Sequence, residues 1–308
     1  MIAHSPLLPV LRARGRSVGR VVLYHRVVDD WCDPDLRRLL AGAVTKTTFG
    51  RQLDYLRRHY RVVALDELLA NVERPANRVA ITFDDGYADN LHNALPLLQA
   101  RGMPATVFVV AGFVGSARSA WWDRLARQIA ANGGAALRLD DGNGAHTFPF
   151  KGAMKQMSAA RRWLMALPAT AQEVAVGDAF GHDDDRFLDA DELSRLERSA
   201  FRVEAHTFTH ARMTDLDEDQ TREELARSRS ILEPIIGRPL QWLAYPFGER
   251  DDFTPMTRRC IQHNGFRAAF AAFRGVVRRE TDLYAIPRIA TCECLDRFKL
   301  RLASVRGS

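Results

Sequence analysis

Val79-Ala80-Ile81-Thr82-Phe83-Asp84-Asp85-Gly86-Tyr87 is the stretch whose reading decides the fold. A β-branched and aromatic run that stops in acid-acid-Gly has the composition of a buried strand, with two carboxylates delivered to its C-terminal rim. Far along the chain a second strand-like run, Phe201 to Ala205, leads into His206-Thr207-Phe208-Thr209-His210. Two imidazoles four residues apart plus one carboxylate make a three-ligand set for a divalent metal, with a fourth position open to water. With Asp85, His206 and His210 as the ligands, Asp84 is free to act as a general base; its other reading is a fourth ligand. Together these groups are the minimum kit for metal-assisted hydrolysis.

Outward from these segments, strand-like and helix-like runs alternate. Val21 to Tyr24, Val62 to Leu65, Val79 to Phe83, Ala105 to Val110, Phe201 to Ala205, Trp242 to Tyr245, Phe266 to Phe270 and Leu283 to Ile289 read as strands. Phe49 to His59, Ala88 to Ala100 and Glu218 to Ile236 read as helices, the last closed by Gly237 as a natural C-cap. Repeated βα units predict an α/β protein with a parallel sheet and helices outside it. The candidate residues sit just after strands, where α/β barrels keep their sites. Ser116 to Ala200 departs from this rhythm and reads as a mostly helical insertion. It carries Trp121 and Trp122, which could stack on a sugar ring or pack against the barrel.

Three motifs carry a family resemblance. Thr82-Phe83-Asp84-Asp85-Gly86-Tyr87 and His206-Thr207-Phe208-Thr209-His210 resemble the first two motifs of the polysaccharide deacetylases, the NodB-homology enzymes of carbohydrate esterase family 4. Ala244-Tyr245-Pro246-Phe247-Gly248 is similar to part of their Arg-Pro-Pro-Tyr-Gly segment. The resemblance covers roughly Val21 to Ala290 and implies an irregular (β/α)7-type barrel. It also implies removal of N-acetyl groups from N-acetylhexosamine units of a polysaccharide or lipid-linked glycan. Asp85, His206 and His210 would then hold the metal and Asp84 would be the base. Nitrogen and carboxylate ligands suit Zn2+, and Co2+, Ni2+ or Fe2+ would tolerate the same set. By the same resemblance the backbone N–H of Phe247 would donate to the oxyanion.

The chain departs from that pattern in two places. The family often has an Arg where Ala244 stands, and that Arg orients the base; Arg288 is the candidate replacement, with Arg26 in reserve. The family's late Leu-x-His acid is missing, since no His follows His263. Tyr24-His25-Arg26-Val27 resembles the opening of a deacetylase subgroup with permuted motifs, and it makes His25 the candidate general acid, an imidazole with an ordinary pKa of about 6.5. Two other readings stay open: hydrolysis of another small amide (formyl or ureide), and a glycan-binding protein that has lost catalysis.

Composition bounds the rest. With 308 residues and 46% hydrophobic content, the chain suffices for one domain over 1–308, with the barrel over about 20–292 and the insertion over about 116–200. Cys32, Cys260, Cys292 and Cys294 form no disulfide framework and read as ordinary reduced cysteines. The net charge is +6. Arg12, Arg14, Arg16 and Arg20 cluster near the start, and Arg297, Lys299, Arg301 and Arg306 near the end. Solvated surface charge explains these clusters, as does peripheral contact with an anionic membrane surface or with a phosphate-linked glycan. No aromatic-basic motif of a nucleic-acid module is present. Nor is there a nucleophile elbow, a phosphate-binding Gly-Lys-Ser/Thr loop or a dinucleotide Gly fingerprint. The apolar residues near the N-terminus precede the arginines, the reverse of a secretory signal. The chain therefore reads as cytoplasmic, or at the inner face of the membrane.

Overall fold

The computed structural model describes residues 18–304 apart from 31, 41, 74–76, 117–118 and 179–181. Arg12, Arg14, Arg16 and Arg306 of the predicted basic clusters lie outside the described residues. Parallel strands close into a barrel: β1 (Arg20–Tyr24), β2 (Arg78–Phe83), β3 (Ala105–Val109), β4 (Phe201–Ala205), β5 (Trp242–Ala244), β6 (Ala268–Arg274) and β7 (Ile286–Ala290). Their spatial order follows the chain, and β7 and β2 both pair with β1, which seals the ring. This is the irregular (β/α)7-type barrel expected from the sequence. The irregularity has a local origin. β5 is three residues long and meets β4 at a single register pair, Leu243 with Ala205, while β6 and β7 shift register between Phe270 and Arg274.

Successive side chains of a strand point to opposite faces, and the core divides accordingly. Val22, Ile81, Phe83, Val107, Val109 and Val203 join one cluster, packed with residues of the surrounding helices. Val21, Ala80, Phe108, Ala244, Phe270 and Ile286 join another. Because both faces are covered, the strands are apolar on both sides, as parallel strands must be.

Between β3 and β4 the chain makes the helices α1 (Trp121–Ala131) and α2 (Ala153–Leu164) and two shorter helices, Ala169–Val176 and Ala190–Glu197. It also makes an antiparallel hairpin, Leu137–Asp140 with Ala145–Phe148, that the mostly helical expectation omitted. The signal was present. Leu137 and Leu139 are buried while Arg138 and Asp140 are exposed, and Asp141 Oδ1 accepts hydrogen bonds from the N–H groups of Asn143 (2.9 Å) and Gly144 (3.1 Å) to tie the turn. After β4 comes α3 (Glu218–Ile236), with the predicted bounds. It opens with a capping box between Asp217 and Gln220, and Gly237 ends it at φ +71°, which a glycine adopts without steric cost.

Other boundaries moved. Leu65 is not in a strand; it opens the helix Leu65–Ala70, favoured by Asp66 and Glu67 in the first turn. The predicted helix from Ala88 begins as a π-helical turn, Asn90–Ala94, and becomes α-helical only at Leu95–Gln99. Pro96 has no N–H to continue an α ladder backwards, so the hydrogen-bond register changes there. β6 starts two residues later than expected, because the Phe266 N–H closes the preceding turn on Ile261. β7 likewise begins late, since Asp282 Oδ1 holds the Tyr284 N–H in a turn at 2.8 Å. Arg20, read as surface charge, is buried; its guanidinium donates to the Leu302 carbonyl and lies 5.0 Å over the Tyr60 ring.

Candidate active site

In a regular strand Asp84 and Asp85 would face opposite sides of the sheet. Asp84 keeps the strand's alternation, and its N–H donates to the Tyr24 carbonyl at 3.0 Å. Asp85 leaves it, at φ +76°, a left-handed conformation uncommon for a residue with a Cβ. That turn brings both carboxylates to the same end of the barrel, and both are 3% exposed. Gly86 follows at φ +85°, with Val109 3.1 Å from where a Cβ would stand.

The two imidazoles arrive on a shaped loop, not on a helix. Thr207 and His210 have φ of +61° and +63°. Glu224 of α3 holds the loop by accepting from the N–H groups of Phe208 and Thr209 (2.9 Å each) and from the Thr209 hydroxyl (2.7 Å). Thr207 Oγ1 accepts the His210 N–H at 3.2 Å. Both threonine hydroxyls therefore support the loop. Sequence reading missed Glu224 because it lies 14 residues beyond His210, on the face of a helix whose pattern otherwise reports only amphipathicity.

His206 Nδ1 lies 2.8 Å from the Ala244 carbonyl oxygen, which can only accept, so Nδ1 carries the proton and Nε2 offers a lone pair. His206 Nε2 is 3.4 Å and His210 Nε2 3.5 Å from Asp85 Oδ1. That oxygen is buried with no hydrogen-bond partner. One ligand atom from each of Asp85, His206 and His210 falls within 4.8 Å of the others. Lone pairs converging on a buried anionic oxygen repel one another unless a cation sits between them. The donor set fits a divalent ion bound by two nitrogens and a carboxylate.

The electrostatics follow. Burial pushes the Asp85 carboxyl up, but its neighbours, His206 foremost, outweigh it and hold the carboxyl well below the usual carboxylate range, while Asp84 and Asp85 in turn raise His206 against its own burial. Burial lowers His210 to about 3, keeping it neutral. Asp84 is also depressed: burial opposes ionisation, but the Arg288 charge, then His206, prevail. Arg288, 0% exposed, donates Nη1 to Asp84 Oδ1 and Nη2 to Oδ2, both at 2.7 Å, while its Nε donates to the Ala271 carbonyl. Arg288, the guanidinium that sequence reading placed beside Asp84, is the one in contact with it. Arg26, the reserve, is elsewhere.

The Phe247 ring lies 5.0 Å from the His210 ring. Phe247 has φ +61°, and its N–H makes no hydrogen bond among the described residues. Gly248 follows at φ +71°, where a Cβ would stand 2.6 Å from the Ala272 nitrogen, so no larger residue fits that turn. His25 follows β1 and is close enough for its charge to lower both Asp84 and Asp85.

Trp121 and Trp122 are buried, at 5% and 6% exposed, so neither offers an open sugar platform. Trp122 packs its ring 4.8 Å from His210 and donates Nε1–H to the Tyr87 hydroxyl (2.7 Å), which donates to Asp123 Oδ2 (2.6 Å). Arg26 lies 4.5 Å over the Tyr87 ring and pairs with Asp89 (2.9 Å) and Asp185 (2.5 Å). This polar network joins barrel to insertion and backs His210. Its residues carry no motif, so nothing in the sequence marked them.

Comparison with known proteins agrees with this geometry. The family model described as polysaccharide deacetylase matches residues 71–269. The Bacillus subtilis (strain 168) protein YxkH, whose name places it among polysaccharide deacetylases, is 19% identical over 223 residues, 72% of this chain and 54% of that protein. The chain thus spans about half the length of that curated relative. Two solved structures share the fold at a TM-score of 0.63: IcaB from Ammonifex degensii (20% identity; 94% of this chain, 98% of that one) and the Streptococcus pyogenes deacetylase PplD in complex with acetate (16% identity; 93% and 98%). A de-N-acetylase from Aggregatibacter actinomycetemcomitans has a TM-score of 0.57 at 16% identity, covering 88% and 94%. With most of its length matched by the family model, and with that model's fold, this chain belongs to the polysaccharide deacetylase family.

Proposed function

We propose that the chain is a metal-dependent hydrolase that removes N-acetyl groups from N-acetylhexosamine units of a polysaccharide or lipid-linked glycan, acting as one catalytic unit over its length. The observation that carries this reading is the convergence of Asp85, His206 and His210 on one point beside the Asp84–Arg288 pair. When bound there, a divalent cation, Zn2+ by the donor set, would polarise the acetyl carbonyl and lower the pKa of water.

The protein's own groups divide the remaining work. Asp84, kept ionised by Arg288, takes the proton of the attacking water. The Phe247 N–H donates to the oxygen that becomes negative as the carbonyl turns tetrahedral, a contribution of ~2.7–4 kcal/mol for such a donor. His25 gives a proton to the departing amine nitrogen, and acetate leaves. Trp122 and Phe247 flank His210 and exclude water from one side of the site.

Among the described residues no helix is long and apolar enough to cross a membrane. On the helix Leu295–Ala303, Lys299 pairs with Asp296 and Arg301 donates to the Ala290 and Thr291 carbonyls, while Arg297 is exposed and available to a membrane surface where a lipid-linked substrate would lie. A cytoplasmic location is part of this proposal.

The test is acetate release from N-acetylglucosamine oligomers and lipid-linked N-acetyl sugars, with added zinc or cobalt and a chelator control. Chelator-sensitive acetate release supports the reading. Formate or ammonia release from other amides without any acetate would replace it.

A further inference from the structure

The end of α2 brings an uncompensated charge to the flank of this site. Ser158, Arg161, Arg162, Met165 and Ala166, together with Arg212 from the segment after His210, line a cavity of about 460 Å³. The lining holds three guanidinium groups, one hydroxyl and no carboxylate. Arg212 connects the cavity to the catalytic groups: its guanidinium lies 5.4 Å over the Phe247 ring and pairs with Asp252 at 3.1 Å. Arg162 is exposed.

Arg161 is different. It is half-buried, and burial lowers its pKa, with Asp123, Tyr87 and Asp85 near enough to oppose the shift. Its backbone carbonyl accepts the Met165 N–H, but its guanidinium makes no hydrogen bond or ion pair among the described residues. The fully buried arginines Arg26, Arg124 and Arg288 are all paired: Arg26 with Asp89 and Asp185, Arg124 with Glu173, Arg288 with Asp84. A basic residue in the last turn of a helix is favoured by the helix dipole. That accounts for the charge at this end of α2 but not for gathering three guanidinium groups around one cavity with no carboxylate in its lining.

Two guanidinium groups with no carboxylate in hydrogen-bond contact among the described residues, and a third already half-neutralised by Asp252, match a ligand carrying about two negative charges. The planar guanidinium fork suits phosphoryl oxygens. We propose that Arg161, Arg162 and Arg212 form a subsite for a phosphoryl group of the substrate, so that the N-acetylhexosamine acted upon bears a phosphate ester close to its acetamido group. The subsite sits across Phe247 from His210, a placement that orients the sugar with its N-acetyl group over the ligand cluster. This inference rests on the deacetylase reading for its substrate, but not for its ligand.

Two measurements test it. Calorimetric titration of inorganic phosphate into the full-length protein reads the subsite alone. Steady-state acetate release from N-acetylglucosamine 1-phosphate and from the uncharged methyl glycoside reads its use. Arg161→Gln is expected to weaken phosphate binding and raise KM for the phosphorylated sugar by about tenfold or more, with the methyl glycoside unchanged. Arg161→Lys should recover part of the loss, and the melting temperature of Arg161→Gln should hold, because its guanidinium makes no hydrogen bond or ion pair among the described residues that the substitution would remove. Comparing the monoester with a prenyl diphosphate-linked N-acetylglucosamine then tells a terminal phosphate from a lipid-linked diester; the better substrate names the source. Phosphate that binds Arg161→Gln as tightly as the parent overturns the subsite, as does an equal loss on charged and uncharged sugars. Arg161-dependent phosphate binding with no acetate from any sugar would instead keep the subsite and sink the deacetylase reading.

Discussion

Replacing Arg288 by Gln should cost both stability and the low-pH activity of the enzyme, for one reason. Arg288 and Asp84 are 0% and 3% exposed, and they meet through two parallel hydrogen bonds of 2.7 Å. Removing one partner of a buried bidentate pair leaves the other charge uncompensated, a loss of ~3–5 kcal/mol. At ~2–4 °C per kcal/mol for chains of a few hundred residues, the melting temperature should fall by ~6–20 °C. The sign of the pH dependence is fixed by Asp84. In the parent its folded pKa is depressed, so its stabilisation is present above the unfolded value and is lost as pH falls through the folded one. Without Arg288 the burial effect dominates, the folded pKa rises, and ionising Asp84 opposes folding. The deficit of Arg288→Gln should therefore be larger at pH 8 than at pH 5. The acid limb of its kcat/KM profile should move to higher pH, by one unit for each ~1.4 kcal/mol of lost differential interaction. Thermal melts at both pH values and a pH–rate profile suffice. A melting temperature within 2 °C of the parent (~1 kcal/mol or less) together with an unmoved acid limb would refute the argument that Arg288 holds the base ionised.

Other outcomes follow from the same geometry. Asp84→Asn should reduce turnover by ~10²–10⁴ while bound metal, measured by elemental analysis, stays stoichiometric; full activity would exclude Asp84 as the base. His210→Ala should lose metal, and the melting temperature of the zinc-loaded parent, but not of the variant, should drop on chelation. At Gly42 an added Cβ would stand 2.6 Å from His25 Nδ1, so Gly42→Ala must displace that imidazole; kcat should fall by ~10-fold or more with metal content unchanged, and an unaltered kcat would remove His25 from the mechanism. Asp123 is raised to about 7, first by burial. The folded state then holds a proton that the unfolded state releases near pH 4, so stability should decline between about pH 4 and 7 and level off above. Urea titrations across that range should show the decline in the parent and a flatter course in Asp123→Asn.

How much of this was legible depends on where the information resides. The strand Arg78–Phe83 was readable because its apolar run ends abruptly in Asp84-Asp85, and a chemical discontinuity of that kind survives without any tertiary knowledge. The helix Glu218–Ile236 was readable because both of its caps are local. By contrast, β6 and β7 were displaced by turns whose hydrogen bonds, such as the one from the Tyr284 N–H to Asp282, leave little trace in hydropathy. The hairpin Leu137–Phe148 was lost because an expectation of helix absorbed a plain period-two pattern. At the site, chain order and strand position named Asp84, Asp85, His206, His210 and Arg288. They did not name Glu224, Tyr87 or Asp123, because a residue that works by supporting another needs only the right place in space. The tryptophans left two readings open, a sugar platform or packing against the barrel, and the structure buries both, with Trp122 against His210.

The closure of the barrel through β1 has a consequence for biosynthesis. Asp84 leaves the ribosome on the second strand of the ring, and its partner Arg288 follows 204 residues later, on the last. At ~5–20 residues per second, roughly 10–40 s separate the two. Throughout that interval β2 carries a charge destined for burial without its guanidinium partner, and β1 lacks one of its two neighbours. The nascent barrel is thus held open, hydrated at its future catalytic rim, until the final strand emerges. Synonymous codon changes that slow translation between β2 and β7 should lengthen the exposure of that half-ring to proteases and chaperones, whereas the same changes after β7 should be silent.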